Sequence, residues 1–596
     1  MKRRSVPAAA ARCSVYVIPW MVVLGLAIAD AAPPKVAFTY PYSTRKTALK
    51  QIRYAGYTSP RATLYVNGTR QTLSSLGSFA GLFPLAVGKN VLLATAELDG
   101  ATASASLIIT RTPPAGPLPI DPWRIDEASC QPKRPVWITP PGSLVVECVG
   151  SPGGTAAFSV GRFTRQPMIE IQPGIYEGEI IIQPGETWND EPVRLELTSG
   201  NRRDKARATA RGSVTLLGTG PPIILETSGE KTVPLYQTFL GRTRYVDLPP
   251  GVRLEAVGRM DRRYEVRLSA IQTAFVDERG VKRLPEGTGR PKSTVESITT
   301  QVKSDRSVVR VPLSQRLPYM VTELDDPPRL DFRIYGAQPD TWWITGRHND
   351  RTIKAIQQDV ASDGSYRVLL TLWHDHWGYL AYYEGTTLCL DVNAPPNLPQ
   401  ISEGNLHGLV IAIDPGHGGT NRGTRAPSGG WEKDVNRKLG TCLERRIRAL
   451  GGETVVLRQG DESVSLEGRV ERARRSGAHI LISLHNNGVG DDTDPLASRG
   501  TSTYYYHPHS VELSRIVYGK LISLPGVNPW GHVGQFDFAP VRASTDMIGF
   551  LVECLFLSHP KDEEIILADD GQERVTRSIV EGVVTFLQQR LIRRAE

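Results

Sequence analysis

Between residues 33 and 392 the chain alternates short apolar runs with turn residues. ATLYVNG, VLLATAEL and ASLIITR are examples from its beginning. Alternation with a period of two over runs of this length predicts strands that bury one face. The dipeptide Asn67-Gly68, which follows Val66, is typical of the tight turn that joins two paired strands. We therefore expect a series of β modules, sandwiches or small barrels, in this part of the chain.

Proline-rich stretches divide this part into predicted modules. The stretch 112–122 and the segment 393–396 have the composition of linkers. The pattern predicts an Ig-like β-sandwich over 33–112, a second β-sandwich over 123–226, a small barrel over 230–290 and a β-rich module over 304–392. The order of strand, turn at 258–262 and strand in the third module resembles bacterial SH3-like domains.

The rhythm changes after Asn405. Continuous apolar runs at 409–413, 479–485 and 547–553 predict strands that are covered on both faces. Apolar residues at helical spacing predict helices that begin near Val435, Leu466, Ser510 and Val575. Strands that alternate with helices indicate an α/β domain over 405–594, with a mainly parallel sheet flanked by helices. The whole chain is thus predicted to be multidomain.

Four polar side chains stand where this α/β pattern places loops or strand ends. His417 follows the first strand, His485 and Glu553 end later strands, and Glu432 precedes the first helix. Ligands gather beyond the carboxyl ends of parallel strands, so these side chains are expected to meet. Two imidazoles and a carboxylate with one open position suit a catalytic zinc, which predicts His417, Glu432 and His485 as metal ligands. Glu553 is then the carboxylate that moves a proton for an attacking water.

Eight of the 11 histidines lie beyond residue 400, in the part of the chain that contains the predicted metal site. The other histidines there can therefore be compared with the predicted ligands. A single histidine at a strand end is more often a satisfied polar residue than a ligand. His479 begins the strand that His485 ends, about 20 Å away at the rise of a strand, and cannot bind the same metal. We expect surface or supporting roles at the rim of the site for four others, which are His507, His509, His532 and His559.

The fourth β module contains a second histidine pair, His374 and His376, within WHDHW. On a strand the two would share a face and could share a metal. The alternative, which we favour, is an aromatic-rich strand edge, because no third ligand is evident nearby. The aromatic residues of this module either stack on sugar rings or fill a sandwich core, and the core is favoured; they are Trp342, Trp343, Trp373, Trp377, Tyr379, Tyr382 and Tyr383.

The N-terminus is typical of a secretory signal peptide over 1–31. Three basic residues at 2–4 precede an apolar run at 15–29, which is short for a membrane span. We expect an exported protein, periplasmic or secreted, with no stable membrane span after cleavage. Export permits disulfides, and Cys130 with Cys148 is the expected pair. A net charge of +8, with 70 basic against 62 acidic residues and no basic block, argues against a nucleic-acid partner.

The motifs DPGHGG and GGWEKD, the arginine-containing runs VVLR and LEGRVERAR, and the motifs SLHNN and VECLFLSHP follow one another in this order. Together they resemble the zinc-dependent N-acetylmuramoyl-L-alanine amidases of bacterial walls, over residues 407–592. The resemblance implies one zinc on His417, Glu432 and His485, with Glu553 as the catalytic residue. It also implies peptidoglycan as the substrate, cut between muramic acid and L-alanine, and a wall-associated location. The position of the 304–392 module resembles that of wall-targeting β-sandwiches in some of these enzymes.

Some relatives insert a regulatory helix after the third ligand. The interval GVGDDTDPLASRG has no apolar stripe, which argues against such a helix here. A protein activator stays unidentified. Two other functions stay open: a catalytically silent wall-binding scaffold, and a zinc peptidase that cuts peptide crosslinks.

Overall fold

A computed structural model describes residues 32–113, 116–200, 204–218, 221–398 and 401–595. The predicted signal peptide lies outside the described residues. Within them, no helix is long and apolar enough to cross a membrane.

The first β unit consists of two sheets. Strands β1, β3 and β6 form one sheet, and β2, β8, β7, β4 and β5 form the other. The turn between β4 and β5 has the predicted geometry, since Asn67 and Gly68 both have positive φ, 46° and 81°. The strands β1 to β8 are Val36–Tyr40, Arg45–Thr47, Gln51–Thr58, Thr63–Val66, Thr69–Arg70, Ser78–Pro84, Gly88–Leu98 and Ala101–Arg111.

The second and third predicted modules share one continuous sheet. The short strand β10 joins them, since it pairs in parallel with β16 and places Trp137 opposite Arg259 of β20. The strands β9 to β23 are Ile125–Asp126, Val136–Ile138, Gly142–Gly150, Thr155–Val160, Phe163–Gln172, Ile175–Ile182, Glu191–Thr198, Lys205–Leu216, Ile223–Thr227, Val233–Tyr236, Arg244–Leu248, Arg253–Met260, Arg263–Arg267, Thr273–Asp277 and Val281–Arg283.

The expected disulfide in the second module is absent, because Cys130 and Cys148 are both free thiols. Each is buried in the same apolar core. Burial raises the pKa of Cys130 to about 11 and that of Cys148 to about 12. Disulfide exchange requires a thiolate, and these environments disfavour it.

The fourth unit is a pair of sheets that begins earlier than residue 304. Its first strand starts at Ser293, and one apolar core runs through this unit and the third. The sheets are β28-β24-β25-β32-β31 and β26-β27-β30-β29. The strands β24 to β32 are Ser293–Val302, Arg306–Val311, Tyr319–Leu324, Arg329–Ile334, Ala337–Thr345, Ile353–Val360, Tyr366–Leu372, Tyr379–Glu384 and Thr387–Asn393.

Aromatic side chains of this unit divide between its core and its surface. Tyr379 lies in the core of this unit, as the core interpretation predicts, whereas Trp377 is buried in the core of the C-terminal domain. That interpretation is wrong for Trp342, Trp343 and Trp373, which are 72%, 54% and 49% exposed.

The C-terminal domain has a six-stranded mixed sheet with helices. The strand order is β34-β33-β35-β38-β36-β37; β36 and β38 are antiparallel and the other neighbours are parallel. The strands β33 to β38 are Val410–Pro415, Glu453–Val456, Ile480–Asn487, Thr501–Tyr505, Pro529–Val533 and Ile548–Phe556. The helices α1 to α6 are Glu432–Ala449, Leu466–Arg475, Val511–Ile522, Ala539–Arg542, Pro560–Leu567 and Asp569–Ala595.

Candidate metal centre

The predicted site residues lie at one edge of the sheet, at the ends of the central strands β33, β35 and β38. β33 ends at Pro415, and the chain then turns so sharply that His417 has a positive φ of 63°. This left-handed conformation is costly for a residue with a Cβ, so the surrounding contacts have to hold it. Gly416 permits the turn to pack tightly, because a Cβ there would lie 2.2 Å from Nε2 of His485. The backbone thus brings His417 against His485, although 68 residues of chain separate them.

The structure brings the three predicted ligands together. Their ligand atoms all lie within 4.8 Å of one another. Oε1 of Glu432 is 2.9 Å from Nε2 of His417 and 3.1 Å from Nδ1 of His485. Tetrahedral zinc with these ligands requires separations of about 3.3 Å, so only a small expansion would admit the ion.

The protonation pattern of the cluster also fits a cation. Nδ1 of His417 donates to Oδ1 of Asn421 at 2.9 Å, and Nε2 faces Oε1 of Glu432, so Nε2 is the nitrogen placed to bind a cation in exchange for its proton. Burial opposes the charge of Glu432, but hydrogen bonds from His417 and His485 outweigh it and hold the pKa of this carboxyl far below its usual range. Two imidazole nitrogens and an ionised carboxylate are the donor set of catalytic zinc sites.

The carboxylate of Glu432 is fixed by its own hydrogen bonds. Its Oε2 accepts the backbone N–H of Thr424 at 2.8 Å, and its Oε1 accepts that of Asn486 at 3.1 Å. The side chain of Asn436 donates to Oε1 at 3.3 Å, and Asn486 in turn donates to Asn436 at 2.8 Å. These hydrogen bonds hold the carboxylate of Glu432 in one orientation beside the two imidazoles.

Glu553 stands beside this cluster. In the register of β35 and β38 it is the residue opposite His485, and neighbouring strands are about 4.8 Å apart. Burial, and then repulsion from Glu432, raise the pKa of Glu553 well above its usual range. Its Oε2 is buried and has no hydrogen-bond partner among the described residues. A carboxyl group in this environment binds a proton more tightly than a solvated carboxyl group and is placed to transfer it.

Two buried arginines support the turn that carries His417. Arg458, 1% exposed, donates from Nε to the carbonyl of Pro415 at 3.1 Å and from Nη2 to that of Gly416 at 3.2 Å. Arg469 forms a buried ion pair with Asp414 and donates to the carbonyl of His417. Both arginines lie in the runs VVLR and LEGRVERAR, which carry part of the family resemblance, but no role could be assigned to either from the sequence. An arginine normally faces solvent, so neither position indicates a buried support for the turn.

The other histidines occupy different places in the structure. His479 lies at the opposite end of β35, where its Nδ1 accepts the N–H of Val410 at 3.0 Å, and so stays apart from the site as predicted. His559 caps α5. The expectation of rim positions is wrong for His507 and His509, which are buried between the C-terminal domain and the fourth β unit.

His374 and His376 do not share a strand face, since both lie in the loop between β30 and β31. His374 is exposed, whereas His376 is buried and faces Glu323. His376, Glu323 and His509 form a second compact His/Glu group.

Hydrogen bonds explain this second group without a metal. Nδ1 of His376 accepts the N–H of Gly378 at 3.0 Å, so its Nε2 carries a proton and points at Glu323. His509 donates to Glu323 from its backbone N–H and from Nδ1, each at 2.9 Å. A metal on His376 would have to displace the Nε2 proton, which ordinary imidazole ligands do not require.

The interval 488–500 after the third ligand contains no helix. This agrees with the prediction that no regulatory helix is inserted there.

The C-terminal domain is similar to known proteins. The family model described as N-acetylmuramoyl-L-alanine amidase, Amidase_3, matches residues 411–585. The Uncharacterized protein YqiI of Bacillus subtilis is 28% identical over 189 residues, which are 31% of this chain and 87% of that protein. The N-acetylmuramoyl-L-alanine amidase AmiC of Neisseria meningitidis is 26% identical over 231 residues, with 31% of this chain and 54% of that protein covered.

Among solved structures, the N-acetylmuramoyl-L-alanine amidase AmiC2 of Nostoc punctiforme is similar at 30% identity, with 30% of this chain and 97% of that chain covered and a TM-score of 0.29. The matches cover less than one third of this chain, so the β units upstream lie outside them. The motifs and the family match agree in place, and the C-terminal domain of this chain belongs to the N-acetylmuramoyl-L-alanine amidase family Amidase_3.

Proposed function

We propose that this protein is an exported, zinc-dependent N-acetylmuramoyl-L-alanine amidase. It hydrolyses the amide bond between N-acetylmuramic acid and L-alanine in peptidoglycan. The observation that carries the proposal is the convergence of His417, Glu432 and His485 within 4.8 Å, with Glu553 on the neighbouring strand. The family match supports the choice of bond.

The three clustered side chains would hold the zinc ion. When bound, zinc supplies Lewis-acid activation of a carbonyl oxygen and of water. His417, Glu432 and His485 provide only three donors, so a fourth position is left for the reactants.

Glu553 is the residue that moves protons. Its carboxylate accepts a proton from the attacking water and then delivers one to the nitrogen of the leaving L-alanine. Its raised pKa suits the second transfer, because a carboxyl group that binds its proton more tightly keeps the acid form to a higher pH than a solvated one. A cation at the neighbouring ligands favours the carboxylate form instead, which suits the first transfer.

The location of the substrate sets where the enzyme works. Peptidoglycan lies outside the cytoplasmic membrane, which agrees with the predicted signal peptide. The β units are proposed to hold the enzyme at the wall, in the periplasm or as a secreted protein.

The test is incubation of the full mature chain with purified peptidoglycan, followed by mass analysis of the products. Free stem peptides together with glycan strands that have lost them are the expected result. Cut crosslinks with stem peptides still attached to muramic acid would show a peptidase. Unchanged peptidoglycan, with zinc bound, would show a binding scaffold.

A further inference from the structure

The first β unit holds two loops that flank the metal centre. Oγ1 of Thr39 donates to the carbonyl of Pro427 at 2.9 Å, in the loop between His417 and Glu432. On the other side, the N–H of Arg53 donates to the carbonyl of Asp491 at 2.7 Å, in the loop after His485. This unit is therefore fixed beside the centre and is not a freely tethered module.

This placement brings an aromatic residue of the first unit to the site. The ring of Tyr42, 55% exposed, lies 5.6 Å from the ring of Trp431. Trp431 directly precedes Glu432 in the chain, one Cα step of about 3.8 Å away. The guanidinium of Arg425 lies over both rings, 5.5 Å from Tyr42 and 5.0 Å from Trp431. Arg422 lies over Trp431 at 5.0 Å. These four residues are called here the aromatic–arginine platform.

The platform is joined to the metal centre through the backbone. The N–H of Thr424 donates to Oε2 of Glu432 at 2.8 Å, and Thr424 lies between the two arginines in the chain. The bridge between Arg425 and Trp431 closes the same loop. A ligand on the platform would thus lie directly next to groups that bind the reacting part of the substrate.

The two arginines carry positive charge that no carboxylate in the described part of the chain neutralises. Nε and Nη1 of Arg425 donate to the carbonyls of Gly429 and Thr39, each at 3.3 Å. Arg422 is exposed, and its guanidinium lies over the face of Trp431. A guanidinium stacked on an aromatic ring keeps its N–H donors in the plane, where they match a carboxylate.

We propose that the aromatic–arginine platform is a substrate subsite that binds a carboxylate of the stem peptide, with Tyr42 of the first β unit as one wall. The inference rests on the proposed amidase function. The stem peptides of peptidoglycan carry free carboxylates, which complement the unpaired guanidiniums of Arg422 and Arg425. The rings of Tyr42 and Trp431 offer apolar faces to the peptide. The first β unit is then part of the active-site cleft.

The experiment compares a soluble muramoyl peptide with its analogue in which the free carboxylates are amides. Arg422→Ala in the full mature chain is expected to raise KM for the acid substrate about tenfold, with kcat within about twofold. Tyr42→Ala should shift KM in the same direction. The amide analogue should show no difference between Arg422→Ala and the wild type, whereas Tyr42→Ala, which removes an apolar wall, should raise KM for both substrates. Arg437→Ala removes an exposed arginine of α1 and Tyr65→Ala an aromatic residue elsewhere in the first unit, and both controls should match the wild type.

Unchanged KM for the acid substrate in Arg422→Ala would overturn the subsite, and so would an equal loss on the amide analogue. If Tyr42→Ala unfolds, Arg422→Ala decides alone, because Arg422 is exposed. Calorimetric binding of the same peptides to the Glu553→Gln protein tests the carboxylate subsite separately from the amidase function. Weaker binding of the acid peptide to Arg422→Ala supports the subsite even if wild-type protein cleaves neither peptide, an outcome that would refute the amidase function alone.

Discussion

Glu553 and His485 are register partners on neighbouring parallel strands, so the proposed proton carrier stands across from a proposed metal ligand. Neither loop motion nor a domain movement is needed to assemble them. The sheet itself sets their separation, which gives the site a rigid base.

Glu553→Gln should keep one zinc per chain and lose about 10²–10⁴-fold in the rate of amide cleavage, because the amide cannot carry the proton. Elemental analysis and product release measure the two quantities. Glu581→Gln, an exposed position on α6, is the control and should retain full rate. Wild-type activity in Glu553→Gln would remove this residue from the mechanism.

His417→Ala should lose zinc as well as activity, since it removes one of three ligands. The matched control is His479→Ala, which changes a histidine at the far end of β35. Zinc content after dialysis against a weak chelator is the measurement. Stoichiometric zinc in His417→Ala, or its loss in His479→Ala, would contradict the assignment.

Arg469→Met should lower the free energy of unfolding by about 3–5 kcal/mol, because it leaves Asp414 charged and buried without its partner. Denaturant unfolding of the full chain gives the value. Arg475→Met on the same helix removes an exposed arginine that pairs with Glu471, and a change of at most about 1 kcal/mol is expected. Equal effects of the two substitutions would show that Arg469 does not hold the turn at His417.

Glu323 should make the contact between the fourth β unit and the catalytic domain sensitive to acid. Burial opposes its charge, but His509 and His376 hold its pKa well below the usual value of 4.5. The carboxylate therefore contributes stability that is fully present above about pH 4.5 and is lost as the pH falls through the folded-state pKa.

The corresponding measurement compares the melting temperatures of wild type and Glu323→Gln from pH 7 to pH 3. The difference should be largest at neutral pH and shrink in acid. Glu384→Gln, which changes an exposed carboxylate paired with Arg310, is the control and should show a small difference throughout. A difference for Glu323→Gln that grows in acid would contradict the sign of this linkage.

The meeting of the three proposed ligands and Glu553 could be predicted from the sequence. Continuous apolar runs indicate the strands of a buried parallel sheet, and the carboxyl ends of such strands lie at one edge. The same reasoning missed β36, although Thr501, Ser502 and Thr503 are fully buried. Their side chains are polar, so hydropathy carries no strand signal there. Their burial depends on neighbours that only the folded chain supplies.

The contacts between units could not be predicted from the sequence either. β10, three residues long, joins the sheets of the second and third modules. The buried Glu323 meets His509 across 186 positions of chain. Contacts of this range leave no local pattern, since each partner alone has the sequence context of an ordinary polar residue.

Mass analysis of the products from peptidoglycan treated with the full, zinc-loaded chain tests the central claim most directly. An amidase releases free stem peptides that begin with L-alanine and leaves glycan strands without peptide, and this is the result that we expect. Stem peptides that remain attached to muramic acid, with or without cut crosslinks, would contradict it.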